Sequence, residues 1–128
     1  MKYYMAGIKG TGMSALALLL SDLGFDVVGY DDAKEHRFTE DKLLERGIKI
    51  YSQENDELDE NSIVVYSPAL RLDEHPQLIK ATEMGLKIYE YQEMLGKLTK
   101  KFWIYMILLL VYNLEYKHNN HQFLYKHL

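Results

Sequence analysis

Short apolar runs alternate with helical patterns along the first hundred residues. The apolar runs are rich in Val, Ile and Tyr and predict five strands, at Tyr3–Ala6, Phe25–Gly29, Ile48–Ile50, Ser62–Tyr66 and Leu86–Tyr89. Between them the spacing of apolar residues predicts four helices, at Met13–Leu23, Thr39–Arg46, Pro76–Met84 and Tyr91–Lys100. Strands and helices are therefore expected to alternate along the chain.

One local pattern occurs three times. Gly24, Gly47 and Gly85 each end a predicted helix and are followed by an apolar, a variable and a second apolar residue. Glycine readily adopts the left-handed conformation that closes a helix, so each site predicts a helix-to-strand junction. Strands separated by helices run parallel, with right-handed crossovers. The predicted fold is an α/β, Rossmann-like, doubly wound and mainly parallel five-stranded sheet with helices on both faces.

The composition changes near residue 102. Residues 1–101 contain eighteen of the nineteen acidic residues, all eight glycines and both prolines. The run Phe102–Leu114 is uncharged, but its thirteen residues are fewer than the roughly 18–20 that a membrane span needs. We therefore predict one domain over 1–101 and an apolar tail over 102–128. The tail is expected to be a strand or buried helix that packs on the domain or on a second copy, forming a homodimer; a membrane-surface anchor is the alternative.

Charge and residue types exclude several functions. The 128-residue chain has a formal charge of −4 and no basic strip studded with aromatic residues, so no nucleic-acid partner is expected. The absence of cysteine excludes disulfides, thiolate zinc sites and a cysteine nucleophile. The chain start has no apolar stretch before its glycine-rich turn, unlike a signal peptide, which predicts a cytoplasmic protein. His118, His121 and His127 are not expected to form a dedicated metal site.

A glycine-rich turn lies between the first predicted strand and helix. It reads Gly7-Ile8-Lys9-Gly10-Thr11-Gly12. Ligands of doubly wound sheets bind at the carboxyl ends of the strands, where the strand order reverses. The free amides and dipole of the following helix favour an anion such as a diphosphate. Lys9 would add a mobile cation, and Thr11 and Ser14 would add hydroxyl donors; a tight turn without a ligand is the alternative.

The spacing of this turn differs from the dinucleotide fingerprint, because Lys9 occupies the position of its middle glycine. This favours a diphosphate ligand other than a nicotinamide or flavin dinucleotide. Asp31 follows Gly12 by nineteen residues, about where an acid meets a ribose hydroxyl in dinucleotide folds. The alternative for Asp31 is a solvated loop carboxylate.

The turn and several later segments resemble the Mur ligase family, in particular its members that join L-alanine to UDP-N-acetylmuramic acid. The motif continues from the turn as Met13-Ser14-Ala15-Leu16-Ala17, and supporting segments occur in the family's order at Gly29–Asp31, Val64–Ala69 and Tyr91–Gly96. The resemblance spans about residues 2–101. Tyr30 and Glu90 depart from it, because they stand where the family usually has Ser and Arg.

The resemblance implies a first domain that binds UDP-N-acetylmuramic acid, or UDP, for peptidoglycan biosynthesis. Asp31 would lie near the uridine ribose. The residues implied to hold the diphosphate are Lys9, Gly10, Thr11, Gly12, Met13 and Ser14. Those implied to border the nucleotide are Ser67, Pro68 and Ala69.

The resemblance ends where the family's ATP-binding loop, Gly-Thr-His-Gly-Lys-Thr-Thr, would begin. Here the sequence continues with Phe102-Trp103, and no such loop occurs in the chain. We therefore expect a truncated domain with an unrelated or frame-shifted tail. It would have no catalytic residue, no ATP or Mg²⁺ of its own and no ligase activity alone. The alternative hypothesis is a regulatory domain that senses a dinucleotide or an adenine nucleotide.

Overall fold

The computed structural model describes the backbone of residues 1–127 and the side chains of residues 1–114. One compact unit comprises Met1–Met94, and a second begins at Leu95. The strands are β1 (Lys2–Ala6), β2 (Asp26–Tyr30), β3 (Lys49–Tyr51), β4 (Ser62–Tyr66) and β5 (Lys87–Glu90). The helices are α1 (Thr11–Asp22), α2 (Phe38–Glu45), α3 (Pro76–Glu83) and α4 (Tyr91–His127).

The strands form one sheet in the order β3-β2-β1-β4-β5, and every neighbouring pair is parallel. The prediction of a five-stranded, doubly wound α/β sheet is confirmed. The chain moves outward from β1 to β3 on one side and from β4 to β5 on the other. Right-handed crossovers therefore place α1 and α2 on one face and α3 on the opposite face.

Both faces of the central strand β1 are buried. Tyr4 and Ala6 belong to a core cluster that includes Leu78 and Ala81 of α3. Met5 points to the other face and is fully buried as well. Burial on both faces is typical of parallel sheets and explains why the strands read as continuous apolar runs.

The three predicted helix-ending glycines have positive φ angles, of +92° at Gly24, +74° at Gly47 and +69° at Gly85. Each glycine amide donates to the carbonyl three residues earlier, and the next amide donates to the carbonyl five residues earlier. These bonds satisfy the last carbonyls of α1, α2 and α3. The prediction from the repeated pattern is confirmed at all three junctions.

Helix α4 is longer than the sequence predicted. One helix continues from Tyr91 to His127, so the prediction of a strand in the apolar run is wrong. The side chains of Phe102–Leu114 are exposed, Leu110 to 62% for example. Packing on the domain or on a second copy stays a prediction. Among the described residues, no helix is long and apolar enough to cross a membrane.

Candidate functional site

A cleft of about 200 Å³ lies where β1, β2 and β4 end. Its lining residues lie at or after the carboxyl ends of these strands and are Gly7, Gly10, Tyr30, Asp31, Asp32, Ala33, Arg37, Ser67, Ala69 and Leu70. The strand order reverses between β1 and β4. The cleft therefore lies at the position where open α/β sheets bind their ligands.

Gly7 forms part of the cleft wall directly after β1. Its φ is +84°, and its amide donates to the Tyr30 carbonyl at 2.7 Å. A Cβ at Gly7 would lie 2.7 Å from the Cβ of Ser67, at the end of β4. The ends of the three strands can converge at the cleft because this position has no side chain.

Helix α1 begins beside the cleft without a side-chain cap. Gly10 is the cap residue, with φ −60° and ψ 149°, and it lines the cleft. The amides of Thr11, Gly12 and Met13 belong to the first helical turn, which lacks intrahelical acceptors. Among the described residues, no loop or side-chain acceptor bonds to these amides. This end of α1 can therefore donate to an anion.

Lys9 is held in place instead of being the mobile cation that the sequence suggested. Its side chain is buried, and its Nζ lies 3.2 Å from a Glu40 carboxylate oxygen and 3.1 Å from the Ala33 carbonyl. Its carbonyl accepts a 2.8 Å hydrogen bond from the Thr39 hydroxyl. A buried ammonium group needs such partners. Lys9 connects the glycine-rich turn to the start of α2.

Asp31 is buried at the end of β2, so the alternative of a solvated loop carboxylate is wrong. One carboxylate oxygen accepts the Lys9 amide at 2.9 Å, and the other accepts the Ala33 amide at 3.0 Å. These bonds fix the shape of the turn against β2. Each oxygen retains a second lone pair, and Asp31 also lines the cleft. Its contact with a ribose stays a prediction.

Thr11, Met13 and Ser14 do not line the cleft, although the hydroxyl groups of Thr11 and Ser14 were predicted to be donors to the ligand. The buried Ser14 hydroxyl donates to the Thr11 carbonyl at 3.0 Å inside α1. The Met13 side chain is buried in the core. Any contact of Met13 with an anion would therefore come from its backbone amide.

Gly12 has a packing role that the sequence did not reveal. A Cβ at this position would lie 2.8 Å from the hydroxyl oxygen of Tyr91 and 2.9 Å from its ring. Tyr91 therefore occupies the space beside the first turn of α1. A substitution at Gly12 would disturb this packing as well as any ligand, which makes Gly10 the better position for a binding test.

The turn after β4 forms another part of the cleft wall. Ser67 donates its amide to the Ala6 carbonyl at 3.0 Å and accepts the Leu70 amide at 2.9 Å. Its hydroxyl accepts the Ala69 amide at 3.3 Å. Ser67 and Ala69 line the cleft, whereas Pro68 lies in the same turn without lining it.

Sequence reasoning missed Arg37 as a cleft residue and noted Tyr30 only as a departure from the family. Arg37 is the exposed cap residue of α2. It lies within a polar stretch whose sequence does not indicate which side chains reach the cleft. The Tyr30 ring packs edge-on against His75, with centroids 4.8 Å apart, and burial raises the pKa of Tyr30. Glu90, the other departure, ends β5 and does not line the cleft.

Among the residues whose side chains are described, we find neither a phosphate-binding loop of the ATP type nor a cluster of metal ligands. The dipeptide Gly96-Lys97 lies inside α4 and not in a glycine-rich loop. Within the part whose side chains are described, no group of three metal-ligating residues comes together. The side chains of His118, His121 and His127 lie outside that part.

Comparison with known proteins identifies the family. The model of the Mur ligase family, catalytic domain, matches residues 2–103. The chain belongs to the Mur ligase family. Two UDP-N-acetylmuramate–L-alanine ligases, from Lactiplantibacillus plantarum and Pediococcus pentosaceus, are each 44% identical to this Mur ligase chain over 100 residues. The match covers 78% of this chain and 22% of each relative.

Solved structures agree with this assignment. The UDP-N-acetylmuramate–alanine ligase of Thermotoga maritima matches this Mur ligase chain with a TM-score of 0.70 and 29% identity, over 79% of this chain and 23% of that one. A ligase from Neisseria meningitides, 24% identical with a TM-score of 0.63, shares the fold over 75% of this chain and 30% of its own. The chain thus spans about a quarter of the ligases it matches. These similarities give no support to a nucleotide-sensing regulatory domain.

Proposed function

We propose that the chain binds the UDP part of UDP-N-acetylmuramic acid in the cytoplasm, as the first domain of a UDP-N-acetylmuramate–L-alanine ligase of peptidoglycan biosynthesis. The cleft at the strand-order reversal carries the proposal. Its three walls follow β1, β2 and β4, and all of them lie within the residues that match the family. A nucleotide would thus bind where the fold leaves both an opening and unpaired backbone donors.

The diphosphate would lie against the start of α1. The amides of Thr11, Gly12 and Met13 would donate to its oxygens, and the helix dipole would favour its charge. Gly10 has no side chain to hinder this approach. Lys9 would contribute through the conformation of the turn, because its ammonium group is bonded to Glu40 and Ala33.

The uridine would lie across the ends of β2 and β4. Asp31 would accept a hydrogen bond from a ribose hydroxyl through a lone pair that Lys9 and Ala33 leave free. Ser67 and Ala69 would border the nucleotide from the opposite wall. Pro68 would act by shaping their turn.

The complete reaction would join L-alanine to the lactyl carboxylate of the substrate, with ATP and Mg²⁺ supplying the activation of that carboxylate. The described residues offer no cradle for either. The part of this chain in the reaction is therefore to bind the nucleotide end of the substrate and to orient the sugar. Lactyl activation and amide formation belong to the rest of a complete ligase.

Substitution of Gly10 by Ser tests this function. A Cβ at Gly10 would be 3.5 Å from the Gly7 carbonyl oxygen and 3.9 Å from the Met13 Cβ, which are ordinary contacts. Serine is also a preferred cap residue, so the melting temperature should stay the same or rise slightly. Its hydroxyl would compete for the free amides and its Cβ would narrow the cleft. We expect UDP affinity to fall by about tenfold, the equivalent of one lost charge-assisted hydrogen bond.

Calorimetric titration with UDP, UDP-N-acetylmuramic acid and NADH provides the measurement. Gly96→Ser is the matched control, because nothing lies within 4 Å of a Cβ there and Gly96 is not a cleft residue. Failure of the unaltered chain to bind either uridine nucleotide, or equal binding by Gly10→Ser, would reject the proposal. Binding of NADH without UDP would favour the regulatory alternative.

A further inference from the structure

We propose that Arg37 pairs with the ligand's phosphates and so takes the role that the sequence assigned to Lys9; this inference rests on the proposed function. Arg37 precedes α2 and lines the cleft. No similarity reported above assigns a role to it. Three observations support the inference: the charge of the cleft, the free state of the guanidinium group and the anchoring of α2.

The charged residues that line the cleft comprise two carboxylates and one cation. Asp31 and Asp32 are the carboxylates, and Arg37 is the cation. The nearby pair of Lys9 and Glu40 adds no net charge. A diphosphate would therefore meet two carboxylates near the start of α1, and a cation beside its phosphates would offset their repulsion. Among the lining residues, Arg37 alone can supply that charge.

The guanidinium group of Arg37 is available for a ligand. Arg46 pairs with Asp22, and Arg71 pairs with Asp73 at 3.3 Å. Within the described part of the chain, Arg37 has neither an ion pair nor a side-chain hydrogen bond, and it is exposed. A free guanidinium presents a planar pair of donors that matches the oxygens of a phosphate.

The backbone of Arg37 is fixed beside the glycine-rich turn even though its side chain is free. Thr39 donates its hydroxyl to the Lys9 carbonyl, and Glu40 binds the Lys9 ammonium group. These two contacts attach the first turn of α2 to the turn that precedes α1. Arg37 therefore extends from a fixed point at the cleft, so little backbone ordering is needed when it closes on an anion.

The test compares UDP affinity among four forms of the full chain: unaltered, Arg37→Gln, Arg37→Lys and Lys34→Gln. Lys34→Gln is the matched control because Lys34 is an exposed cation three residues away that does not line the cleft. We expect about tenfold weaker binding for Arg37→Gln, as for the loss of one charge-assisted hydrogen bond. Arg37→Lys should be intermediate, and Lys34→Gln should stay within about twofold of the unaltered chain.

Salt dependence identifies what Arg37 contacts. If it pairs with phosphate, added NaCl should weaken UDP binding less in Arg37→Gln than in the unaltered chain. Equal affinities of Arg37→Gln and Lys34→Gln would overturn this inference and leave the proposed function intact. A loss in Arg37→Gln with unchanged salt dependence would also overturn it, because Arg37 would then contact the nucleoside. Absence of UDP binding by the unaltered chain would overturn both.

Discussion

At the scale of single residues, His75 has surroundings that disfavour a charged ring. Both of its ring nitrogens are buried, and neither has a hydrogen-bond partner in the described part of the chain. Its ring packs edge-on against Tyr30, a cleft residue. Burial lowers the pKa of His75 below its usual 6.5, although the carboxylates of Asp32 and Glu54 act in the opposite direction. The folded protein therefore favours the neutral imidazole.

This lowered pKa predicts how stability depends on pH. The unfolded chain takes up a proton at His75 near pH 6.5, whereas the folded chain takes it up only at lower pH. The contribution of neutral His75 to the free energy of unfolding is therefore complete above pH 6.5 and is lost as the pH falls below 6.5. Urea unfolding at pH 7.5, 6.5 and 5.5 should show a decreasing free energy of unfolding. His75→Gln should reduce this decrease, because it removes the titrating group.

An exposed histidine provides the control for this measurement. His36 contacts Glu40 and Asp41 at the surface. Because His36→Gln leaves the buried His75 ring in place, this variant should keep the decrease that His75 causes between pH 6.5 and 5.5. The pKa of Glu57 is lowered by the Tyr51 hydroxyl, and its contribution is lost only as the pH falls below 4.5, outside this range. An equal decrease in His75→Gln and the unaltered chain would contradict the assignment to His75.

At the scale of elements, close packing fixes the glycine-rich turn over the sheet. Ile8, within that turn, is fully buried. A Cβ at Gly29, in the adjacent strand β2, would lie between 2.4 and 2.8 Å from three Ile8 side-chain atoms. The turn thus lies directly on β2 because Gly29 has no side chain. This contact positions the cleft wall relative to the sheet.

Gly29→Ala should therefore destabilise the chain by about 1–3 kcal/mol, the usual range for an overpacked core. Urea unfolding provides the measurement. Ile8→Ala alone should also destabilise, by about 2–5 kcal/mol, because it leaves a cavity. The double variant should be more stable than the sum of the two effects predicts, because each change makes room for the other. Strict additivity would show that Gly29 and Ile8 do not limit each other.

The apolar part of α4 predicts self-association. Phe102–Leu114 is helical and uncharged, with exposed apolar side chains around the whole helix. Helices of this kind are normally covered by other apolar surfaces. We expect a second copy of the chain to cover it, so light scattering should give a dimer whose fraction rises with concentration. Leu110→Glu should shift the equilibrium to the monomer, whereas Gly96→Ser should not. A monomer at every concentration would contradict the expected homodimer.

At the scale of the whole molecule, the sequence predicted the fold better than the site. Helix ends and strands depend on neighbouring residues, so Gly24, Gly47 and Gly85 revealed the repeated units directly. The length of α4 was missed because Phe102–Leu114 is apolar at every position except Asn113 and has no period that separates helix from strand. No glycine or proline follows Gly96 to end the helix.

The sequence predicted which residues lie at the cleft where their positions depend on topology, but not where they depend on side-chain partners. The role of these residues in binding stays a prediction. The ends of parallel strands meet at one edge, so Gly10, Asp31, Ser67 and Ala69 come together at the cleft as expected. Lys9 was expected to be free because its partner Glu40 lies thirty-one residues later in the chain. No local sequence pattern indicates such a pairing. The position of Arg37 at the cleft likewise depends on the tertiary fold and not on its neighbours in the sequence.

The attachment of α2 to Lys9 has a consequence for energetic coupling within the domain. Because Thr39 and Glu40 hold the Lys9 backbone and ammonium group, the docking of α2 helps the glycine-rich turn to keep its shape, together with the contacts of the turn to β2. An anion that binds the turn must then favour the docking of α2 by the same free energy by which docked α2 favours anion binding. Partial opening of α2 must therefore lower the affinity for the anion. Helix α2 would thus raise the affinity for the nucleotide without contacting it, and nucleotide binding would stabilise α2 in return.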